Sequence, residues 1–123
     1  MGPISAFNAG AAKFNVLETS IADVHRAFTD ESLTCLELTQ TYLRRIEFYD
    51  QSTGLNSIIL VNPDATARAT TLDAEFAATG TLKPLHCVPM IIKDNYNVRG
   101  LQTTAGSKAM LGFMPEKDAW QIA

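Results

Sequence analysis

Residues 88–92, VPMII, set five apolar side chains in succession, and the chain then runs directly into Lys93 and Asp94. An apolar run without alternation reads as a strand covered on both faces and paired at both edges. The remainder of the chain offers only one other candidate strand, SIILV at 57–61. Two strands are too few for the sheet that such a buried strand requires, so the sequence reads as the front portion of something larger. Lysine at the end of a buried strand is a second constraint, because it is among the costliest side chains to desolvate and is seldom fully buried without a partner.

The helices announce themselves through their caps. Ser20 is answered by Asp23 three residues later, and Ile21, Val24 and Phe28 share one face, with His25 packed at its border. Thr34 and Glu37 form a T-x-x-E capping box for a second helix. Its expected apolar stripe is Leu36, Thr39, Leu43 and Ile46, flanked by Tyr42 and Tyr49. Asn62-Pro63-Asp64 opens a third helix, with Ala65, Ala69, Leu72 and Phe76 inward and Gly80 ending it. A short helix is expected over 108–111, after Ser107, and another pattern starts at Ala119, Trp120 and Ile122. The order α-α-β-α-β predicts an α/β sheet rather than a helix bundle over residues 19–123. Residues 1–18 read as an irregular N-terminal arm.

At 123 residues the chain holds at most one domain. The net charge of −3 and the lack of a Lys/Arg cluster argue against nucleic acid and anionic membrane as partners. No apolar run is long enough to span a bilayer, and the first residues do not read as a secretory signal, so a cytoplasmic location is expected. Two cysteines in such a chain, Cys35 and Cys87, read as free thiols in preference to a disulfide. His25 and His86 have no companion at metal-ligand spacing, so no metal site is expected.

The chemistry centres on Lys93. Ligands of open α/β sheets bind beyond the carboxyl ends of strands, where a desolvated lysine has a lowered pKa and serves as an amine base. The competing reading is a strand-end charge paired with a neighbour such as Asp94. The loop that follows, Thr103-Thr104-Ala105-Gly106-Ser107, adds three hydroxyls and a glycine permitting close backbone approach. Taken alone, it is equally a turn with a helix cap at Ser107, and it lacks the spacing of a phosphate loop.

Together, PLHCVPMIIKDNYNVRGLQTTAGSKAMLG resembles the Lys-containing block of the amidase signature family, in which an apolar strand delivers K-D-N and a G-x-x-T-T-A-G-S loop follows. LTCLELTQTYLRRIEFYD and LNSIILVNPDATARATTLDAE resemble the family's early helix and its strand with the following helix. The resemblance runs from about residue 19 to the end. It implies part of an α/β/α fold, with helices packed on a mixed sheet, and a hydrolase of carboxylic amides with a Ser–cis-Ser–Lys triad and no metal or organic cofactor. Lys93 matches the lysine, which takes a proton from a bridging serine that activates the nucleophilic serine for acyl-enzyme formation. Asp94, Thr103, Thr104, Gly106 and Ser107 match positions that support the lysine and the serine loop. A small-molecule amide is the implied substrate.

Two departures accompany the resemblance. Cys87 stands where such sequences usually have glycine. No Gly-Gly-Ser or Ser-Ser sequence occurs in the chain, so both serines of the triad are lacking. The expected consequence is an N-terminal part of an amidase that is inactive by itself. The alternative is a non-catalytic, partner-binding protein, associating through an exposed sheet edge. A minimal Ser107–Lys93 pair is a weaker possibility, because helix capping explains Ser107 more simply.

Overall fold

The computed structural model describes residues 14–123. Most of the N-terminal arm therefore lies outside the described residues, although Phe14 and Val16 pack against the core. Three α-helices follow in order: α1 (Ile21–Thr29), α2 (Cys35–Arg45) and α3 (Ala65–Thr79). A π-helical turn, Ile46–Gln51, extends α2, and a 3-10 turn, Lys108–Met110, follows the TTAGS segment.

The helix boundaries come from local chemistry. Asp23 N–H donates to Ser20 Oγ at 3.2 Å and Ser20 N–H returns to the Asp23 carboxylate at 3.1 Å, closing a reciprocal capping box. Thr34 and Glu37 repeat the arrangement at 3.1 and 2.9 Å. Gly80 ends α3 at φ 63°, a left-handed conformation that glycine adopts without steric penalty. Asn62 rather than Asp64 supplies the side chain at the start of α3, accepting Asp64 N–H at 2.9 Å.

The expected mixed sheet is not there: among the described residues there is no strand. Segments 57–61 and 88–92 are open chain without ladder partners, and Ile59 and Ile91 are 70% and 78% exposed. The pattern signalled apolar residues in search of cover, but a strand exists only when a second backbone takes its N–H and C=O groups. Within 14–123 the helices supply the cover for one another, and no backbone pairs with either run. Association through a sheet edge falls with the sheet. No helix among the described residues is long and apolar enough to cross a membrane.

The core is formed by Val24, Ala27 and Phe28 of α1, Leu33, Cys35 and Leu38 at the front of α2, Ala69 of α3, and Cys87. Leu72, Phe76 and Tyr42 pack around it. The buried face of α2 is thus Cys35 and Leu38 with Tyr42 beside them, one residue off the expected Leu36–Thr39–Leu43–Ile46 stripe. The cause is a cross-link and a second cap. Cys35 is bonded to Cys87, with Cα atoms 5.2 Å apart, so the cysteines are a disulfide and not the free thiols expected. Asp73 of α3 accepts the N–H groups of Cys35 and Leu36 at 2.6 and 3.0 Å. Both fix the rotation of α2 about its axis.

Downstream of α2, the buried carboxylate of Asp50 accepts from the N–H groups of Ser57 and Ile58 at 2.7 and 3.2 Å, and from the Ser57 hydroxyl. These donors, the Ser57 hydroxyl first among them, hold the Asp50 carboxyl below its ordinary range.

Candidate active site

The segment leading to Lys93 begins in consecutive turns, His86 N–H to Lys83 carbonyl at 3.0 Å and Val88 N–H to Leu85 carbonyl at 3.2 Å. Between them Cys87 takes φ 59°, a left-handed conformation costly for any residue bearing a Cβ. A glycine there would adopt this conformation without that cost. Val88 and Pro89 then line a small groove with Ile21 and Val24 of α1 and Leu38 and Tyr42 of α2. The Lys93 segment is therefore anchored on the helices at its start and leaves them further along, where Met90 and Ile91 are exposed.

Lys93 is exposed, not desolvated as a buried strand end would make it. Among the described residues the ion pairs are Arg26–Asp23, Arg68–Glu75 and Lys83–Glu75, and Lys93 belongs to none of them. Its neighbour is otherwise engaged: the Asp94 carboxylate accepts Thr104 N–H at 3.0 Å and the Thr104 hydroxyl, while the Asp94 carbonyl accepts Ala105 N–H at 2.8 Å. Thr104 hydroxyl and amide donation holds the Asp94 carboxyl below its ordinary range, against a smaller opposing effect of desolvation. The simple Lys93–Asp94 charge pair is not formed.

The loop is built around that clamp. Gly106 N–H approaches Thr104 Oγ1 at 3.3 Å with φ 74°, and Ser107 N–H donates to the Thr104 carbonyl at 2.9 Å. Thr103 is buried and donates its N–H to the Phe113 carbonyl at 3.1 Å. Gly100 N–H to Pro115 carbonyl, Arg99 N–H to the Asp118 carboxylate and Ala119 N–H to Asn97 carbonyl close the loop at 3.0, 2.7 and 2.8 Å. The fold thus brings Asp94, Thr104, Gly106 and Ser107 into one network. Lys93 stands at its edge without a side-chain bond to it. Ser107 Oγ accepts Ala109 N–H at 3.3 Å, the capping role expected of it.

Spacing along the chain concealed one cluster. His86, read as isolated, has a ligand-competent nitrogen within 4.8 Å of the Cys35 and Cys87 sulfurs, all three residues being buried. The only sequence signal was Cys87 in a glycine position, which marks an unusual backbone but not its partner 52 residues away.

Comparison with known proteins follows the same segments. A sequence model of the amidase family matches residues 37–123. A probable amidase of Arabidopsis thaliana is 36% identical over 112 residues, covering 89% of this chain and 22% of the relative. A glutamyl-tRNA(Gln) amidotransferase subunit of Bdellovibrio bacteriovorus is 35% identical over 104 residues, 85% of this chain and 21% of the relative. The corresponding subunit of Thioalkalivibrio sulfidiphilus is 39% identical over 103 residues, 83% of this chain and 21% of the relative. The chain thus spans about a fifth of the length of these relatives. With the family match covering α2 from Glu37 onward, α3 and the whole Lys93–Ser107 segment, the chain belongs to the amidase family.

Proposed function

We propose that this chain supplies the lysine arm of an amide-hydrolysing site, with Lys93 as the base that relays a proton from serines outside residues 14–123. The observation that carries this reading is the commitment of the Asp94 carboxylate to Thr104, which leaves the Lys93 amine without a counter-ion among the described residues, at the edge of the loop. A base must keep its lone pair or proton available for exchange, and a lysine locked in an ion pair is held in its charged form. Thr103, Thr104, Gly106 and Ser107 act as positioning residues: they shape the loop and hold Asp94.

Activation of Lys93 requires desolvation, which residues 14–123 do not provide, since Lys93 is exposed. Cover by a serine-bearing segment would supply both a nucleophile and the burial. The exposed apolar side chains of Ile59, Met90, Ile91 and Trp120 favour contact with such polypeptide. The substrate class is a small carboxylic amide, cleaved through a serine acyl-enzyme. Some relatives are named as amidotransferase subunits, and assembly with further subunits is consistent with that reading.

The test is complementation. The chain is co-expressed with the remaining four-fifths of a related amidase, and hydrolysis of a chromogenic anilide is followed together with labelling by a fluorophosphonate. Activity and labelling are expected from the combination and not from the chain by itself, with Lys93→Met abolishing turnover. Turnover by the chain without its complement, or unchanged turnover in Lys93→Met, would sink the proposal.

A further inference from the structure

We propose that Cys35, His86 and Cys87 form a buried three-ligand site for a thiophilic divalent cation, best matched by Zn²⁺, which becomes available when the Cys35–Cys87 bond is reduced. The three residues are 2%, 4% and 6% exposed, and their ligand atoms lie within 4.8 Å of one another. Two sulfurs and one imidazole form a donor set suited to zinc, with a fourth position left for water or another small ligand.

The state of the imidazole is the independent observation. His86 Nε2 lies 3.1 Å from the Leu72 carbonyl of α3. A carbonyl only accepts, so Nε2 carries the proton and Nδ1 carries the lone pair. His86 Nδ1 is buried and has no hydrogen-bond partner among the described residues. An imidazole that donates one N–H to a backbone carbonyl and presents the other nitrogen bare is the arrangement that orients a metal-binding histidine. As a purely structural residue it would leave a buried acceptor unsatisfied. The backbone is fixed as well: the His86 carbonyl lies 3.0 Å from His25 Nε2 of α1.

Cys35 sits at the first position of α2. A groove bordered by Leu72, Lys83, Leu85 and His86 gives an approach from solvent. In a reducing compartment the pair exists as thiols. A dithiol reductant transfers two electrons and two protons to the disulfide and becomes oxidised itself, leaving Cys35 and Cys87 as thiols. Binding Zn²⁺ then releases those two protons as two Zn–S bonds and one Zn–N bond form. Oxidation and metal binding are mutually exclusive uses of the same sulfurs.

The experiment titrates Co²⁺ into the full chain after phosphine reduction and anaerobic desalting, with helical circular dichroism recorded in parallel. One equivalent is expected to produce thiolate-to-cobalt charge-transfer absorption, to be displaced by one equivalent of Zn²⁺, and to be rejected by the oxidised chain. His86→Gln, which keeps both thiols, should weaken Co²⁺ binding by at least about tenfold. A reduced chain that loses helix and regains it on one equivalent of Zn²⁺ also supports the site. Two titratable thiols without the charge-transfer band, equal binding by His86→Gln, equal binding by the oxidised chain, or a reduced chain left unfolded by Zn²⁺ would each overturn it.

Discussion

The Asp94 carboxylate and Thr104 are joined twice, by the Thr104 N–H at 3.0 Å and by its hydroxyl, across a loop of ten residues. Because these donors favour the ionised form, the folded carboxyl titrates below its value in the unfolded chain. The clamp therefore contributes stability at pH values above the ordinary aspartate range, about 3.9, and loses it as the pH falls through the lower folded value. The Thr104 amide proton, followed by NMR, should keep its hydrogen-bonded shift from neutral pH to about pH 4 and lose it only in more acidic solution. In Asp94→Asn that acid transition should vanish. A transition that survives unchanged in Asp94→Asn would show that another group controls the loop.

Asp73 does for α2 what Asp94 does for the loop. It reaches from α3 to the N–H groups of Cys35 and Leu36, adding a cap that Thr34 cannot provide alone. Charge-assisted bonds of this kind contribute about 1.5–3 kcal/mol. Asp73→Ala is expected to lower stability in urea by about 2 kcal/mol, and Asp73→Asn by a smaller amount, since one carboxamide oxygen still accepts. Equal stability of Asp73→Ala and the parent would mean that the inter-helix cap is not formed in solution.

Local chemistry was legible in the sequence where partners lie three or four residues apart, and it failed where they lie far apart. Ser20 with Asp23 and Thr34 with Glu37 define helix starts without reference to the rest of the chain. The face that α2 buries was not legible, because Asp73 and Cys87, 38 and 52 residues from Cys35, set its rotation. The apolar runs at 57–61 and 88–92 showed a demand for cover but not its source, and so suggested a sheet that residues 14–123 do not form. At the candidate site, resemblance marked Asp94, Thr103, Thr104, Gly106 and Ser107 as supporting positions, and Asp94, Thr104 and Gly106 share one hydrogen-bond network. It could not show that Asp94 turns to Thr104 rather than to Lys93, since both lie within reach of one carboxylate in the sequence.

The rotation of α2 has a direct energetic consequence. Leu38 is fully buried, whereas Leu36, on the stripe the periodicity favoured, is only partly so. Truncating a buried leucine removes its transfer free energy and leaves a cavity, so Leu38→Ala should cost about 3 kcal/mol. Leu36→Ala should cost about 1 kcal/mol or less, measured by the same denaturant unfolding. The reverse order of the two losses would restore the face read from periodicity and reject the one seen here.

Cys87 combines two opposing effects that a pair of substitutions can separate. Its left-handed backbone, φ 59°, costs about 1–2 kcal/mol for a residue with a Cβ and nothing for glycine. Its bond to Cys35 closes 52 residues of chain, which by loop entropy stabilises the folded state by about 4 kcal/mol. Neither Cys87→Gly nor Cys87→Ala can form that bond, so both should be less stable than the oxidised parent. Between them the differences are the Cβ methyl and its effect on the backbone. Glycine relieves the left-handed conformation but adds about 0.4–1 kcal/mol of freedom to the unfolded chain. Cys87→Gly is therefore expected to be more stable than Cys87→Ala by about 0.5–1 kcal/mol, compared in urea under one set of reducing conditions. If Cys87→Ala matches or exceeds Cys87→Gly, residue 87 does not hold a left-handed conformation in the folded chain.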